Sequence, residues 1–236
     1  MYYDAEKMIL HSNPFDDASP GDFPFLVLRV RHGTPYAAYH FIKRTLDIVF
    51  SLLALIILSP LMLMTAAAVC CDGGPAFYRQ VRLTKDGRCF RILKFRSMHV
   101  DAEKHTGAIL STGSNDPRVT RVGRIIRRCK IDELPQFFNI IAGDMSIVGP
   151  RPERPEIAGK IEKQLPEFRL RLQVKAGLTG YAQLCGDYHT SPQIKISLDL
   201  AYISNRSTLN DLRLILATPL ILIRKHIHAS TSKEFN

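Results

Sequence analysis

Two adjacent carboxylates, Asp132 and Glu133, lie within the densest cluster of reactive residue types in the chain. Three arginines flank them, at positions Arg127, Arg128 and Arg151. A carboxylate that attacks a diphosphate meets like-charge repulsion, so it needs a divalent cation and guanidinium groups around the phosphoryl oxygens. The cluster is therefore compatible with phosphoryl transfer assisted by a cation held at the carboxylates.

A structural role is the simpler interpretation of the same pair. Glu133 to Ala142 has helical spacing of its apolar residues, and Gly143 marks the end of the helix. Asp132 would then be the N-cap, because Asp is a good cap and carboxylates are stabilised at the positive end of a helix. From these residues alone, both interpretations stay open.

Lys94 and Arg96 offer two further cations on one face of an extended segment, because alternate strand residues point the same way. A solvated strand face is the usual reason for such a pair, and phosphate binding is the functional alternative. The sequence contains no His-Glu-x-x-His metal spacing, no Walker loop and no Gly-x-Gly-x-x-Gly fingerprint.

A charge-free apolar run extends from Ile48 to Cys71 and exceeds the about 20 residues that cross a bilayer. Ser59-Pro60 falls at its midpoint, where proline removes a backbone donor. Lysine and arginine flank the run on both sides, whereas a spanning helix usually has its basic excess on the cytoplasmic flank. A re-entrant hairpin broken at Ser59-Pro60 and a kinked spanning helix both fit this pattern.

Composition limits the partners. The 236 residues carry 32 Lys and Arg against 22 Asp and Glu, a net charge of +10, which suits nucleic acid, acidic lipids or phosphorylated substrates. The 5 cysteines form no Cys-x-x-Cys pair, so a reducing compartment is the simpler context. Residues 1–40 lack the apolar core of a signal peptide and are expected to form a loosely ordered extension.

Asp132 and Glu133 form a carboxylate dyad. The elements that position this dyad are predicted from turn residues and from the periodicity of apolar residues. A β-hairpin is expected from strands 76–83 and 89–95, because Lys85-Asp86-Gly87-Arg88 is typical of a tight turn. Residues 101–118 are predicted to form a loop, and residues 119–129 are predicted to form a helix with arginines along one face. Another helix is expected over 156–174, broken at Pro166, and the apolar segment 212–223 is too short to span a membrane.

Several motifs occur together in a fixed order. They are Lys43-Arg44-Thr45-Leu46-Asp47, Ser59-Pro60, Gly74-Pro75-Ala76-Phe77-Tyr78-Arg79-Gln80, the 94–98 segment, Asp116-Pro117-Arg118-Val119-Thr120, Asp132-Glu133-Leu134-Pro135-Gln136, the 143–152 block and Gly177-Leu178-Thr179-Gly180-Tyr181-Ala182-Gln183. In this order they resemble the bacterial sugar transferase family, the monotopic phosphoglycosyl transferases. The resemblance covers about three-quarters of the chain.

The resemblance implies an α+β, mainly helical fold with a Ser-Pro-broken re-entrant helix, a small β-hairpin and amphipathic interfacial helices. The implied divisions are a 1–40 extension, a 41–72 membrane helix, a 73–226 cytoplasmic catalytic domain and a 227–236 tail. Such an enzyme initiates lipid-linked glycan synthesis at the cytoplasmic face of the bacterial inner membrane. Its expected partners include membrane lipid but not nucleic acid, and a homo-oligomer is one of the oligomeric states left open.

The implied reaction moves a sugar 1-phosphate from a UDP-sugar to polyprenyl phosphate and releases UMP. Asp132 matches the nucleophile that carries the covalent phosphosugar, and Glu133 matches its partner, with Mg²⁺ at the pair. Lys94, Arg96, Arg127 and Arg151 match or neighbour the positions expected to bind substrate phosphate.

The chain departs from the family where Cys185-Gly186-Asp187 replaces the common Asn-Gly-Arg, so a basic contact of the sugar pocket is in doubt there. Two rival functions remain. One is a non-enzymatic protein that binds acidic lipid or nucleic acid through its basic surface, and the other is a membrane-associated nucleotide-sugar diphosphatase.

Overall fold

A computed structural model describes residues 36–102, 116–185 and 190–231, with side chains described from residue 37 to residue 221 within these ranges. These residues are mainly helical, as predicted, and include two small two-stranded sheets, of which the sequence predicted one. The predicted extension up to residue 35, most of the predicted 101–118 loop, Gly186-Asp187 and the end of the tail lie outside the described residues.

Helix α1, Tyr36–Cys71, contains Pro60 and continues through it, so the structure does not confirm the predicted break. Because Pro60 has no N–H, it cannot donate to the carbonyl of Ile56 one turn earlier. The Ser59 hydroxyl donates to that carbonyl instead, at 2.8 Å. The serine thus satisfies the carbonyl that the proline leaves without its helical partner.

One side of α1 packs against the rest of the protein while the other is apolar and exposed. The buried side includes Asp47 and Ser51 near the start and Thr65 and Val69 near the end. The exposed side carries large apolar residues from both halves: Leu52, Leu53, Ile56, Ile57, Leu63 and Met64. Within the described ranges, α1 is the one helix long and apolar enough to span a membrane.

Polar contacts tie the beginning of α1 to the domain that follows it. Arg44 donates to the carbonyls of Ile140 and Ile141 at 2.6 and 2.7 Å. Asp47 accepts bonds from the Ser146 hydroxyl at 3.1 Å and from the Ile147 N–H at 2.9 Å. These contacts fix the direction in which α1 leaves the domain.

The predicted hairpin is confirmed. Strands β1, Phe77–Leu83, and β2, Cys89–Phe95, pair antiparallel with Phe77 opposite Phe95. A short 3₁₀ turn, Lys85–Gly87, joins them, and both Asp86 and Gly87 have positive φ. Asp and Gly tolerate this left-handed region, which is why the dipeptide indicated a turn correctly.

Helix α2, Arg121–Arg128, confirms the predicted helix of the arginine stripe, with Thr120 as N-cap accepting a bond from the Gly123 N–H. A 3₁₀ turn, Ile131–Glu133, follows, and helix α3 covers Gln136–Ala142. The prediction that α3 begins at Glu133 with Asp132 as N-cap is therefore wrong. The periodic spacing of apolar residues continues from the 3₁₀ turn into α3. The backbone nevertheless forms two separate helical segments on either side of Pro135.

Two further strands, which the sequence analysis did not identify, form a parallel pair: β3, Met145–Val148, and β4, Ala176–Thr179. Both strands are only four residues long, which is too short to show a clear alternation of apolar and polar residues. Their pairing partners are also distant in sequence, so no turn residues mark the pair. Gly177 lies so close to Gly149 that a Cβ atom would come within 2.1 Å of the Gly149 nitrogen. This close approach requires glycine.

The remaining helices enclose the core. The segment predicted as 156–174 forms α4, Pro155–Gln164, and a 3₁₀ helix, Pro166–Gln173, so the break at Pro166 is confirmed. Then follow α5, Tyr181–Cys185, α6, Pro192–Ser204, and α7, Thr208–Thr231. The 212–223 segment lies within α7, where Leu214 and Ala217 are buried and Leu216 and Leu220 are exposed.

Candidate active site

Asp132 and Glu133 lie together on the 3₁₀ turn between α2 and α3 and are 7% and 8% exposed. Lys130 precedes the turn with φ 58° and ψ 16°, a left-handed conformation that is uncommon for a residue with a side chain. Such backbone conformations persist only where the surrounding structure imposes them. The turn buries two adjacent carboxylates, which is a costly arrangement unless their charge is compensated.

Two cations compensate Glu133. Lys94 Nζ and Arg151 Nη2 each lie 2.7 Å from Glu133 Oε1, and Arg151 Nη1 lies 3.4 Å from Oε2. Burial by itself would raise the pKa of Glu133, but the charges of Arg151 and Lys94 hold this pKa well below its usual range. Glu133 is therefore ionised at neutral pH. The Arg151 side chain remains 41% exposed, so it faces both the carboxylate and the solvent.

Asp132 lies in a contrasting environment. Its Oδ1 atom is buried and has no hydrogen-bond partner. Burial, together with the neighbouring charge of Glu133, raises the pKa of Asp132 to about 6, against the opposing effects of Lys94, Lys130 and Arg127. Because its side chain caps no helix, the N-cap role considered from sequence is wrong. The dyad thus combines two different carboxylates. Glu133 is bound by two cations, and the Oδ1 of Asp132 has no hydrogen-bond partner.

The Asn139 side chain joins α3, which follows the dyad, to β2, which carries Lys94. Its Oδ1 accepts a bond from the Leu93 N–H at 2.8 Å, and its Nδ2 donates to the Arg91 carbonyl at 2.9 Å. The amide therefore completes the backbone bonding of β2 at the edge facing α3. This residue was missed from sequence, since nothing distinguishes an asparagine within an apolar helix as a clamp.

A second set of contacts positions Arg151. Arg171 Nη2 donates to the Arg151 carbonyl at 2.8 Å and lies 2.8 Å from Asp199 Oδ2. Arg171 and Asp199 are almost fully buried, and burial raises the pKa of Asp199 to about 6 despite the guanidinium beside it. This pair was also missed from sequence, because its members are separated in the chain and belong to different elements.

The predicted site residues fall into two groups. Lys94, Glu133 and Arg151 are in direct contact, and Arg127 is close enough to lower the pKa of Asp132. Arg96 has a different position from the one expected: it is buried and donates to the carbonyls of Val69 and Gly73 at the end of α1. Those contacts engage its guanidinium with the end of α1 rather than with the dyad.

No group of three or more His, Cys, Asp and Glu side chains that could hold a metal occurs in the described ranges. A Mg²⁺ ion is often bound through only one or two carboxylates, with substrate phosphates and water completing its coordination. The uncommitted, buried Oδ1 of Asp132 fits this mode of binding. Glu133 could contribute only by giving up part of its contact with Lys94 or Arg151.

Comparison with known proteins gives a consistent result. Residues 38–225 match the family described as bacterial sugar transferase. The chain is 42% identical over 188 residues to the UDP-N-acetylgalactosamine-undecaprenyl-phosphate N-acetylgalactosaminephosphotransferase of Aeromonas hydrophila, a match covering 78% of this chain and 44% of that protein. The chain thus spans less than half the length of this relative.

Other relatives are closer to this chain in length. The exopolysaccharide production protein PSS of Rhizobium leguminosarum bv. phaseoli is 39% identical over 186 residues, covering 75% of this chain and 92% of that protein. The UDP-glucose:undecaprenyl-phosphate glucose-1-phosphate transferase of Caulobacter vibrioides is 39% identical over 199 residues, covering 82% of this chain and 74% of that protein.

Proposed function

Because the chain belongs to the bacterial sugar transferase family, we propose that it transfers a sugar 1-phosphate from a UDP-sugar to undecaprenyl phosphate and releases UMP. The observation that carries the proposal is the asymmetry of the dyad. One buried carboxylate is neutralised by Lys94 and Arg151, while the Oδ1 of Asp132 has no partner. A free carboxylate oxygen in a site with a cationic wall suits attack on a phosphoryl group.

The proposed chemistry has two steps at one phosphorus. In the first, an oxygen of Asp132 attacks the phosphorus that bears the sugar, the bond from this phosphorus to the bridging oxygen breaks, and UMP leaves. In the second, an oxygen of undecaprenyl phosphate attacks the same phosphorus and Asp132 is released as a carboxylate. In this proposal Arg151, which is exposed on one side, contacts the phosphoryl oxygens, and Glu133 keeps Arg151 and Lys94 oriented.

Mg²⁺ is proposed as the cofactor. Bound at Asp132, with Glu133 beside it, the ion would screen the charge of the diphosphate and stabilise the developing charge on the leaving UMP. The raised pKa of Asp132 is consistent with a carboxylate whose natural counter-charge is a bound cation. Chelation should therefore stop UMP release, and Mg²⁺ should restore it.

We propose that α1 enters and leaves one leaflet of the inner membrane, with the catalytic domain on the cytoplasmic face. The support is that both ends of α1 contact the same domain: Arg44 and Asp47 near its start, and Val69 through Arg96 at its end. A charged domain cannot lie on both faces of a bilayer. The Ser59 hydroxyl bond to Ile56 is consistent with a bend at Pro60 within the lipid.

The transferred sugar is left open. Relatives are named for N-acetylgalactosamine, galactose and glucose transfer, so the family assignment does not select among them. The proposed role is the first membrane step of a lipid-linked glycan, such as an exopolysaccharide.

The test is to incubate the purified chain with Mg²⁺ and a panel of UDP-sugars, with and without undecaprenyl phosphate. Sustained UMP release that requires the lipid supports transfer, while equal release without the lipid would favour the diphosphatase.

Asp132→Asn should abolish both turnover and a labelled phosphosugar adduct. Asp144→Asn, which changes an aspartate bound to Arg88 outside the dyad, serves as the matched control. Normal turnover in Asp132→Asn would refute the proposal, and salt-sensitive lipid or nucleic-acid binding without turnover would favour the non-enzymatic alternative.

A further inference from the structure

A second basic site lies away from the dyad, in an open cavity of about 110 Å³ at the beginning of α1. The cavity walls come from five parts of the fold: α1, the β1–β2 turn, β3, the segment before β4, and the end of α6 with its connection to α7. Six of its lining residues are basic: His40, Lys43, Arg44, Lys85, Lys175 and Arg206. Asp47 is the acidic residue that lines it.

Arg44 has contacts that leave its charge uncompensated. Arg44 is bound to two backbone carbonyls rather than to a carboxylate. The Arg44 Nη2 and Lys175 Nζ atoms both lie within 3.7 Å of the point where a Cβ on Gly143 would be, so the two charges are neighbours. Lys43 is different, because it pairs with Asp211 at 2.9 Å. The cavity therefore retains an excess of positive charge.

Electrostatics inside the cavity agrees with this excess. Partial burial lowers the pKa of Lys175, and the nearby Arg44 and Arg88 lower it further, although Asp47 and Asp144 act in the opposite direction. A bound anion would relieve this repulsion among cations, because an opposite charge stabilises the ionised lysine. An anionic phosphate group is of suitable size and charge for the cavity.

Exposed apolar side chains close in sequence to residues that line the cavity indicate the source of the phosphate. Phe41 follows His40 on α1 and is 75% exposed, and Leu209 lies three residues after Arg206 and is 50% exposed. Basic groups beside exposed apolar side chains form the arrangement that an acidic lipid surface attracts. We propose that this cavity binds the anionic phosphate of a membrane lipid headgroup at the base of α1, separately from the substrate site.

The test uses the full chain in a non-ionic detergent and follows its melting temperature by circular dichroism. The probes are dihexanoyl phosphatidylglycerol, inorganic phosphate and, as the zwitterionic control, dihexanoyl phosphatidylcholine. The site variant is Lys85→Gln with Lys175→Gln. The matched variant is Lys160→Gln with Lys163→Gln, which removes two exposed lysines of α4 and causes the same change in net charge.

We expect phosphatidylglycerol to raise the melting temperature of the wild type and of the α4 variant. Each lysine near an anionic lipid contributes about fivefold in affinity, so the site variant should need about thirtyfold more of the lipid for half of the effect. A comparable rise with inorganic phosphate would assign the site to free phosphate instead of lipid. An absent effect in the wild type, or an equal effect in both variants, would overturn the proposal. All of these outcomes are measured without sugar transfer, so they do not depend on the proposed function.

Discussion

Replacing Asp132 by Asn should abolish turnover and also make the metal-free protein more stable at neutral pH. The carboxylate is buried, its Oδ1 has no partner, and its pKa is raised from 3.8 to about 6 in the folded protein. A shift of about 2 units corresponds to about 3 kcal/mol of folding free energy. Asparagine has nearly the same shape and no charge, so it removes this cost of ionisation.

The expected pH dependence follows from the direction of the shift. Below about pH 4, Asp132 is protonated in both the folded and the unfolded chain, so it contributes no penalty. As the pH rises toward the folded pKa of about 6, the unfolded chain loses its proton first and the folded state loses stability. The advantage of Asp132→Asn should therefore grow from near zero at pH 4 to its full size at pH 8.

The assay is thermal unfolding of the wild type and the variant in detergent with a chelator, at pH values between 4 and 8. For a chain of this size, about 3 kcal/mol corresponds to a rise in the melting temperature of roughly 6–12 °C at pH 8. Asp72→Asn, which changes an exposed aspartate just after α1, is the control and should show no such trend. A variant no more stable than the wild type at pH 8, or one with a pH-independent difference, would refute the reasoning.

Two further substitutions test the residues that position the site. Asn139→Leu should lower the free energy of unfolding by about 2–4 kcal/mol, because two backbone groups of β2 lose their partner; denaturant unfolding measures this, and a change below 1 kcal/mol would contradict the clamp. Asp199→Ala should cost about 3–5 kcal/mol by leaving Arg171 buried without its carboxylate. Arg171→Met in the same chain should recover part of that loss, whereas simply additive losses would show that the two side chains act independently.

Local sequence was sufficient for the elements whose cause is local. The β1–β2 hairpin follows from Asp86-Gly87, which accept positive φ, and the interruption near Pro166 follows from the missing backbone donor. Sequence also identified the two carboxylates and three of their neighbouring cations. It failed at the beginning of α3, where apolar periodicity extends across Pro135 although the backbone does not form one helix.

The residue types of the dyad, its basic neighbours and the apolar length of α1 were determined by the sequence alone, because each depends on residue identity and short-range spacing. Tertiary structure alone decided which cations touch Glu133, that the Oδ1 of Asp132 has no partner, and that Arg96 binds the end of α1. It also produced the β3–β4 pair and the Arg171–Asp199 contact. Burial, charge compensation and pKa depend on which distant segments meet, and no local pattern encodes these distances.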